Sequence, residues 1–399
     1  MTPRLLKTQQ TNIVDPSGKK VLLHGINFGG WLMMEAYFMH APNLAEQVFK
    51  KEFAKTLGKK ALEEFEHKFR QSFITEEDFK QVARWGMNVI RLPFNYRVIE
   101  SAPYKYSSKG VAYLDESIRL AKKYGIWVIL DLHAAPGAQN HDWHSDSLGA
   151  AELWTKKANQ HRTFALWEFL ADRYKDEEAV AGYDLLNEPV LDDNALLNRF
   201  YHQLIKTIRR VDQKHILFVE GTRWSQNIDI LDEFEDDNLS LSIHYYGALE
   251  FTFNFIPGLH YPMKSANGIW DRKAQAKFLS SYARLAKKRQ TPIFVGEYGV
   301  HARGGLHGED KWVKDVLSIF DEFGFHRTYW TYKAMKNHMF PDGVLSYYPN
   351  SPWVNRPGPK SGWETWSRCW PTHQKEMIES WKTTSFTVNP TIEKVLKDA

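Results

Sequence analysis

With 399 residues, 43% apolar, 25% charged and a net charge of +4, the chain has the make-up of a globular protein with ample material for a core. No dense Lys/Arg block with interleaved aromatics argues for nucleic acid as a partner, and no run approaches the ~20 apolar residues of a membrane-spanning helix. The single cysteine, Cys369, rules out a disulfide within the chain, and the polar N-terminus lacks the apolar centre of a signal peptide. The expectation is a soluble monomer, either cytoplasmic or secreted with its leader removed.

Taken in chain order, residues 10–25 read as a small hairpin around the turn Asp15-Pro16-Ser17-Gly18, leading into a first strand near Gly25-Ile26-Asn27. Residues 43–70 carry Phe49, Phe53, Leu57, Leu62, Phe65 and Phe69 at helical spacing, a helical insertion. Thr75-Glu76-Glu77-Asp78 then has the Thr-x-x-acid pattern of a helix start. Further strands are expected at 88–93, 127–133, 180–187, 216–220, 239–245, 293–297 and 326–332. Helical stretches separate most of them, at 114–124, 161–174, 195–211, 272–288 and 311–323. Eight strands alternating with helices predict a single (β/α)8 barrel domain over 1–399, with 1–24 as an N-terminal hairpin segment. An open doubly wound sheet is the alternative, weakened because no Gly-rich phosphate loop follows an early strand.

Two long segments, 247–271 and 334–371, follow the sixth and eighth strands and are rich in aromatics. The first holds Phe251, Phe253, Phe255, Tyr261 and Trp270; the second holds Trp353, Trp363, Trp366 and Trp370, with prolines that argue against regular structure. Both belong to the functional face of a barrel. Fifteen tryptophans hint at carbohydrate, whose apolar ring faces stack on flat aromatics, although Trp also fills large cores. If these rings fold onto the rim they narrow the site to a pocket, with Trp224 as a stacking surface beyond the point of cleavage. If they pack on the outer helices the cleft stays open. A helix near 373–381 is expected to close the barrel.

The chemistry concentrates at strand ends. Asn187 and Glu188 precede Pro189, which cannot continue a ladder, so two polar side chains should end the fourth strand. A helix cap is the plainer reading. Ile293-Phe294-Val295-Gly296-Glu297 closes a second apolar strand on a carboxylate. Two such glutamates facing one another across a barrel mouth suit glycoside hydrolysis, which needs one carboxylic acid and one carboxylate. Arg91, inside an apolar strand, needs a carboxylate partner, and pairing with Glu297 would keep that group ionised; backbone carbonyls are the other option. By alternation Asp131 shares a facing with His133, and His244 with Tyr246. Both histidines read as sugar-hydroxyl or carboxylate partners. Trp330 is either the floor of a sugar site or barrel packing. His141 and His144 stand close together without a companion ligand cluster, so neither metal nor cofactor is expected, and no Ser or Cys nucleophile motif occurs.

With these residues assembled, the chain resembles glycoside hydrolase family 5. The motifs are Gly25-Ile26-Asn27-Phe28-Gly29-Gly30-Trp31, Asn88-Val89-Ile90-Arg91-Leu92-Pro93-Phe94, Leu130-Asp131-Leu132-His133, Leu186-Asn187-Glu188-Pro189, His244-Tyr245-Tyr246, Gly296-Glu297-Tyr298-Gly299 and Tyr329-Trp330-Thr331-Tyr332-Lys333. The resemblance implies a retaining enzyme with Glu188 as acid/base and Glu297 as nucleophile. It also implies that Asn187 binds the hydroxyl beside the anomeric carbon, that Arg91 and Tyr246 hold the nucleophile, and that His133, His244 and Trp330 line the sugar site. The helical insertion and the Ala135–Asn140 stretch look like the exo-β-1,3-glucanase branch, other parts like bacterial endoglucanases. The expected substrate is a β-linked gluco-oligosaccharide or glucan. A β-mannanase on the same scaffold and a non-catalytic carbohydrate-binding protein are the alternatives.

Overall fold

Short apolar runs linked through amphipathic helices leave every strand two faces to bury, and closing the sheet on itself buries both. The computed structural model describes residues 4–41, 43–265, 268–335, 338–347 and 365–398. In it β1 (His24–Asn27), β2 (Val89–Asn95), β3 (Trp127–Ala134), β4 (Val180–Asp184), β5 (Ile216–Glu220), β6 (Leu239–Tyr245), β7 (Ile293–Tyr298) and β8 (His326–Tyr329) form a closed barrel. Each strand pairs in parallel with the next, and β8 returns to β1. The predicted (β/α)8 architecture is the observed one.

The longer helices are α1 (Glu46–Leu57), α2 (Lys59–Phe73), α3 (Glu76–Arg84), α4 (Ser108–Tyr124), α5 (Lys157–Tyr174), α6 (Asn194–Arg209), α7 (Arg272–Arg289), α8 (Glu309–Phe323), α9 (Trp366–Trp381) and α10 (Pro390–Lys397). Their starts are written locally: the Thr75 backbone N–H donates to Asp78 at 2.6 Å, and Ser107, Asp193 and Asp271 side chains accept from the backbone of α4, α6 and α7.

Several boundaries differ from the sequence reading. The N-terminal hairpin gains an earlier strand, with Lys7–Gln9 pairing antiparallel to Asn12–Val14; around the predicted Asp15 turn the pairing is reduced to a Val14–Lys20 bridge and the Val21 N–H donating to the Ile13 carbonyl. Strand β4 stops at Asp184, so Asn187 and Glu188 sit in the loop beyond it; β8 stops at Tyr329, which puts Trp330 in a loop as well. The 334–371 segment is partly regular: Lys333–Met335 pairs with Leu345–Tyr347, and α9 begins at Trp366 with Pro371 inside it and a kink at His373. Helix α9 does not close the barrel. Its Trp366, Trp370 and Trp381 pack with Phe49, Phe53, Phe65 and Phe69 of the helical insertion, burying an aromatic cluster outside the strands. Trp353 and Trp363 lie outside the described residues.

Inside the barrel the side chains stack in layers. Val89, Ile129, Ala181, Ile216, Phe218 and Phe294 form an apolar plug at the N-terminal end, sealed below by Leu6, Ile13 and Leu23. Each large side chain so buried contributes roughly 1.5–3 kcal/mol. The layer above it, toward the strand C-termini, is charged.

Candidate active site

Two residues beyond the plug along the same strands, alternation brings Arg91, Asp131 and Glu220 onto the inner face. Arg91 is fully buried and sits among four carboxylates: Asp184 and Glu297 at 2.8 Å, Asp131 at 3.2 Å and Glu220 at 3.3 Å. It also donates to Asn187 Oδ1 at 2.8 Å and to Asn27 Oδ1 at 3.2 Å. A buried arginine survives only with such a set, and this one serves as the hub from which the other groups are positioned.

Glu297 reaches the axis because of a bulge. The register between β6 and β7 shifts after Ile243/Val295, so that His244 stands opposite Glu297. Strict alternation from Phe294 would turn Glu297 outward; the extra residue, Gly296, turns it in. A Cβ on Gly296 would sit 3.1 Å from His244 Nε2, which is why this position carries no side chain. Glu297 then accepts from Arg91 Nη1 on one oxygen and from the Tyr246 hydroxyl on the other, at 2.8 and 2.7 Å.

Glu188 stands across the opening, with φ 49° in the left-handed region that a bulky residue adopts only under constraint. Its backbone N–H donates to Glu220 Oε2 at 2.6 Å, and Asn140 donates to its carbonyl. His244 Nδ1 lies 2.8 Å from Glu188 Oε1, with Nε2 3.2 Å from Glu220. Burial opposes ionisation of Glu188, but the hydrogen bond and charge of His244, then His144, hold its carboxyl below the usual range. Burial likewise opposes the His244 cation, yet Glu220, Glu297 and Glu188 raise it well above an ordinary histidine. Both directions favour the ion pair, with the proton on His244. One donor atom each of Glu188, His244 and Glu297 lies within 4.8 Å of the others. Each carboxylate oxygen of the two glutamates faces a protein donor.

The remaining predicted residues join the site. His133 Nδ1 lies 2.7 Å from Asp131, and its ring stacks on Trp330 at 5.4 Å and 5°. Trp330 donates from Nε1 to the Tyr37 hydroxyl, and its ring sits 3.0 Å from where a Cβ on Gly29 would stand. Asn187, its Oδ1 taken by Arg91, has a buried Nδ2 with no hydrogen-bond partner. Sequence reasoning missed Glu35, Tyr37, Trp143, Asp184 and Glu220, and it set His144 aside. Alternation from Ile216 and Phe218 could have found Glu220; nothing local marks Glu35. Buried Glu35 lies 3.5 Å from His133 Nε2, with Oε1 free of hydrogen bonds. Of the His141/His144 pair, only His144 reaches the site; His141 is exposed.

A cavity of about 380 Å³ opens over these groups, walled by Tyr37, Trp143, Trp224, Leu249, Phe253 and Phe340 among others. The two aromatic loops do meet at the rim: Phe253 packs on Tyr246 at 5.0 Å and on Phe340 at 5.5 Å, and Phe255 lies 6.0 Å from Phe340. The rest of the first loop turns outward, with Tyr261 bonded to Asp315 of α8 and Trp270 against Phe278 of α7. Three successive positive φ angles at Arg223, Trp224 and Ser225 swing Trp224 to the mouth, where it stays 41% exposed.

Comparison with known proteins adds sequence and fold relatives. The family model described as Cellulase (glycosyl hydrolase family 5) matches residues 50–336. The chain is 33% identical over 82% of its length to a β-xylosidase of Phanerodontia chrysosporium, covering 70% of that protein. It is 27% identical over 78% of its length to endoglucanase C of Acetivibrio thermocellus, covering 91% of it. Among solved structures, Thermotoga maritima Cel5A in complex with mannotriose superposes with a TM-score of 0.60 at 22% identity, over 90% of this chain and 97% of that one.

Proposed function

The chain belongs to glycosyl hydrolase family 5, and from that premise we propose that it cleaves terminal β-glucosidic bonds of gluco-oligosaccharides or β-glucans by double displacement. The observation that carries the mechanism is the spacing of the two glutamates. One oxygen of Glu188 and one of Glu297 lie within 4.8 Å of each other, an approach that favours the ~5–5.5 Å carboxyl spacing of retaining enzymes over the ~6.5–9.5 Å that leaves room for an inverting water.

In this reading Glu297, oriented by Arg91 and Tyr246, attacks the anomeric carbon and forms the glycosyl-enzyme. Glu188 gives its proton to the leaving oxygen, then takes one from the incoming water. The His244–Glu188 contact supplies the switch: an entering sugar displaces water and favours the neutral form, with the proton moved from His244 Nδ1 onto Glu188 Oε1. Asn187 Nδ2 is placed to bind the hydroxyl beside the anomeric carbon, with His133, Glu35 and Trp330 lining the sugar. The rim rings narrow the site, which favours attack on chain ends, and Trp224 offers a stacking face to the departing sugar. Residues 1–399 act as one catalytic unit without metal or cofactor. The C-terminal segment supports this, since Thr387–Val388 pairs with Leu345–Tyr347 and Glu393 accepts from Trp85.

A β-xyloside reading is favoured by one observation, the β-xylosidase among the relatives at 33% identity. Chromogenic β-glucosides and β-xylosides, with β-1,3-glucan, β-1,4-glucan and mannan, decide the sugar. Glu297→Ala should abolish turnover of all of them. Glu188→Ala should spare substrates with very acidic leaving groups and, with azide, yield a β-glycosyl azide. Equal loss on every leaving group would reverse the assignment. Early release of monosaccharide with little loss of viscosity is the expected course on soluble glucan; a rapid fall in viscosity would mean an open cleft.

A further inference from the structure

Glu188 lies between two imidazoles, and the acid/base scheme above uses only one. His244 approaches Oε1 from inside the barrel, backed by fully buried Glu220. On the mouth side His144 Nδ1 lies 3.4 Å from Oε2, and its Nε2 lies 3.5 Å from Asp142 Oδ2. That same Asp142 oxygen accepts from Trp224 Nε1 at 2.8 Å. The outer couple is therefore a copy of the inner one, carboxylate behind imidazole behind Glu188, except that it ends on an exposed indole and not in the core.

We propose that His144 is a positioning residue for Glu188, held in place by Asp142 and Trp224, so that the ring on which the departing sugar stacks is mechanically tied to the acid/base. The inference rests on the reading of Glu188 as acid/base. Its chemistry follows from what faces each group. Around Glu188 stand His244, Glu220, Glu297, Tyr246 and His144. Around His144 stand Asp142, Glu188 and Glu35, with His141 beyond Asp142. Burial works against a cation on His144, but Asp142 and then Glu188 and Glu35 outweigh it and raise it. An imidazolium at Oε2 favours the ionised carboxyl, the form needed to take a proton from water. It also opposes retention of the proton that the first step consumes. Asp142 and Trp224 are both partly exposed, so a bound sugar can touch this outer hold directly; it acts on the buried His244–Glu220 couple only through the water it displaces.

The test is the pH profile of kcat/KM on an unactivated glycoside, whose basic limb reports the proton on Glu188. His144→Phe should move that limb up by about one pH unit, the effect of removing a close, partly screened positive charge. His144→Gln, which keeps a polar side chain without the charge, should move it equally. Asp142→Asn and Trp224→Phe should move it the same way by less. If the limbs of His144→Phe and His144→Gln superpose on that of the parent, the proposal is overturned. It is equally overturned if Phe lowers kcat together with thermal stability while Gln restores both without moving the limb, since that is the signature of packing alone. Glu188→Ala on activated and unactivated substrates separates the two claims. A loss confined to the unactivated one with no limb shift in the His144 variants sinks only this inference; equal loss on both sinks the reading beneath it.

Discussion

The two ends of the barrel are built from the same strands two residues apart, yet they do opposite things. At the lower end Val89, Ile129, Phe218 and Phe294 meet in a dry plug, with the Phe218 and Phe294 rings 4.9 Å apart. One layer up, Arg91, Asp131 and Glu220, with Glu297 brought level by the extra Gly296, fill the corresponding positions with charge. The contrast teaches how the charges are tolerated. The plug excludes water from below, which strengthens every interaction in the layer above and makes an unpaired member costly. Stability and activity should therefore separate along the barrel axis.

The largest test is Arg91→Met. Left without its hub, Asp184 becomes an uncompensated buried carboxylate while Asp131 and Glu220 keep only His133 and His244, at a cost of about 3–5 kcal/mol, and turnover should vanish with it. Denaturant unfolding and activity on one preparation check both. A variant that kept its stability would mean the upper layer is not coupled to the fold.

Phe218→Ala should cost about as much or somewhat less, ~3–5 kcal/mol for a large buried ring, while kcat at low temperature stays close to that of the parent. Measured side by side, the two substitutions either separate fold from function or show that the plug also sets the site geometry.

A smaller effect concerns two histidines at opposite ends. His326 at the foot of β8 accepts from the Leu23 N–H, and burial, then Arg327, push it down to about 3. Burial also opposes charge on His133, but Asp131 and Glu35 override it and raise His133 to about 10. The signs are opposite. What His133 contributes is fully present below its ordinary 6.5 and is lost as pH rises through about 10. What His326 contributes is present above 6.5 and is lost as pH falls toward 3. His133→Asn should flatten the alkaline fall of Tm, and His326→Asn the decline between pH 6.5 and the onset of carboxylate protonation. Matching slopes in all three proteins would erase the distinction between the two ends.

Much of this was legible in the sequence because it depends on a local period. Alternation by two puts Asp131 with His133 and His244 with Tyr246, and eight apolar strands separated by helices leave little but a barrel, although β4 ends at Asp184, short of Pro189. The motifs around Glu188 and Glu297 mark the two carboxylates that the structure brings together. Three-dimensional packing decided the rest. Glu297 faces the axis only through the bulge at Gly296, which appears when β6 and β7 are laid side by side. Glu35 meets His133, Tyr37 meets Trp330 and His144 meets Glu188 across separations that no window along the chain spans. Which aromatics line the cavity and which, like Trp366 and Trp381, seal an outer core depends on the partner each loop finds. Local pattern fixes which way a side chain points along its own strand; what it meets there is set by chain segments brought together only when the barrel closes.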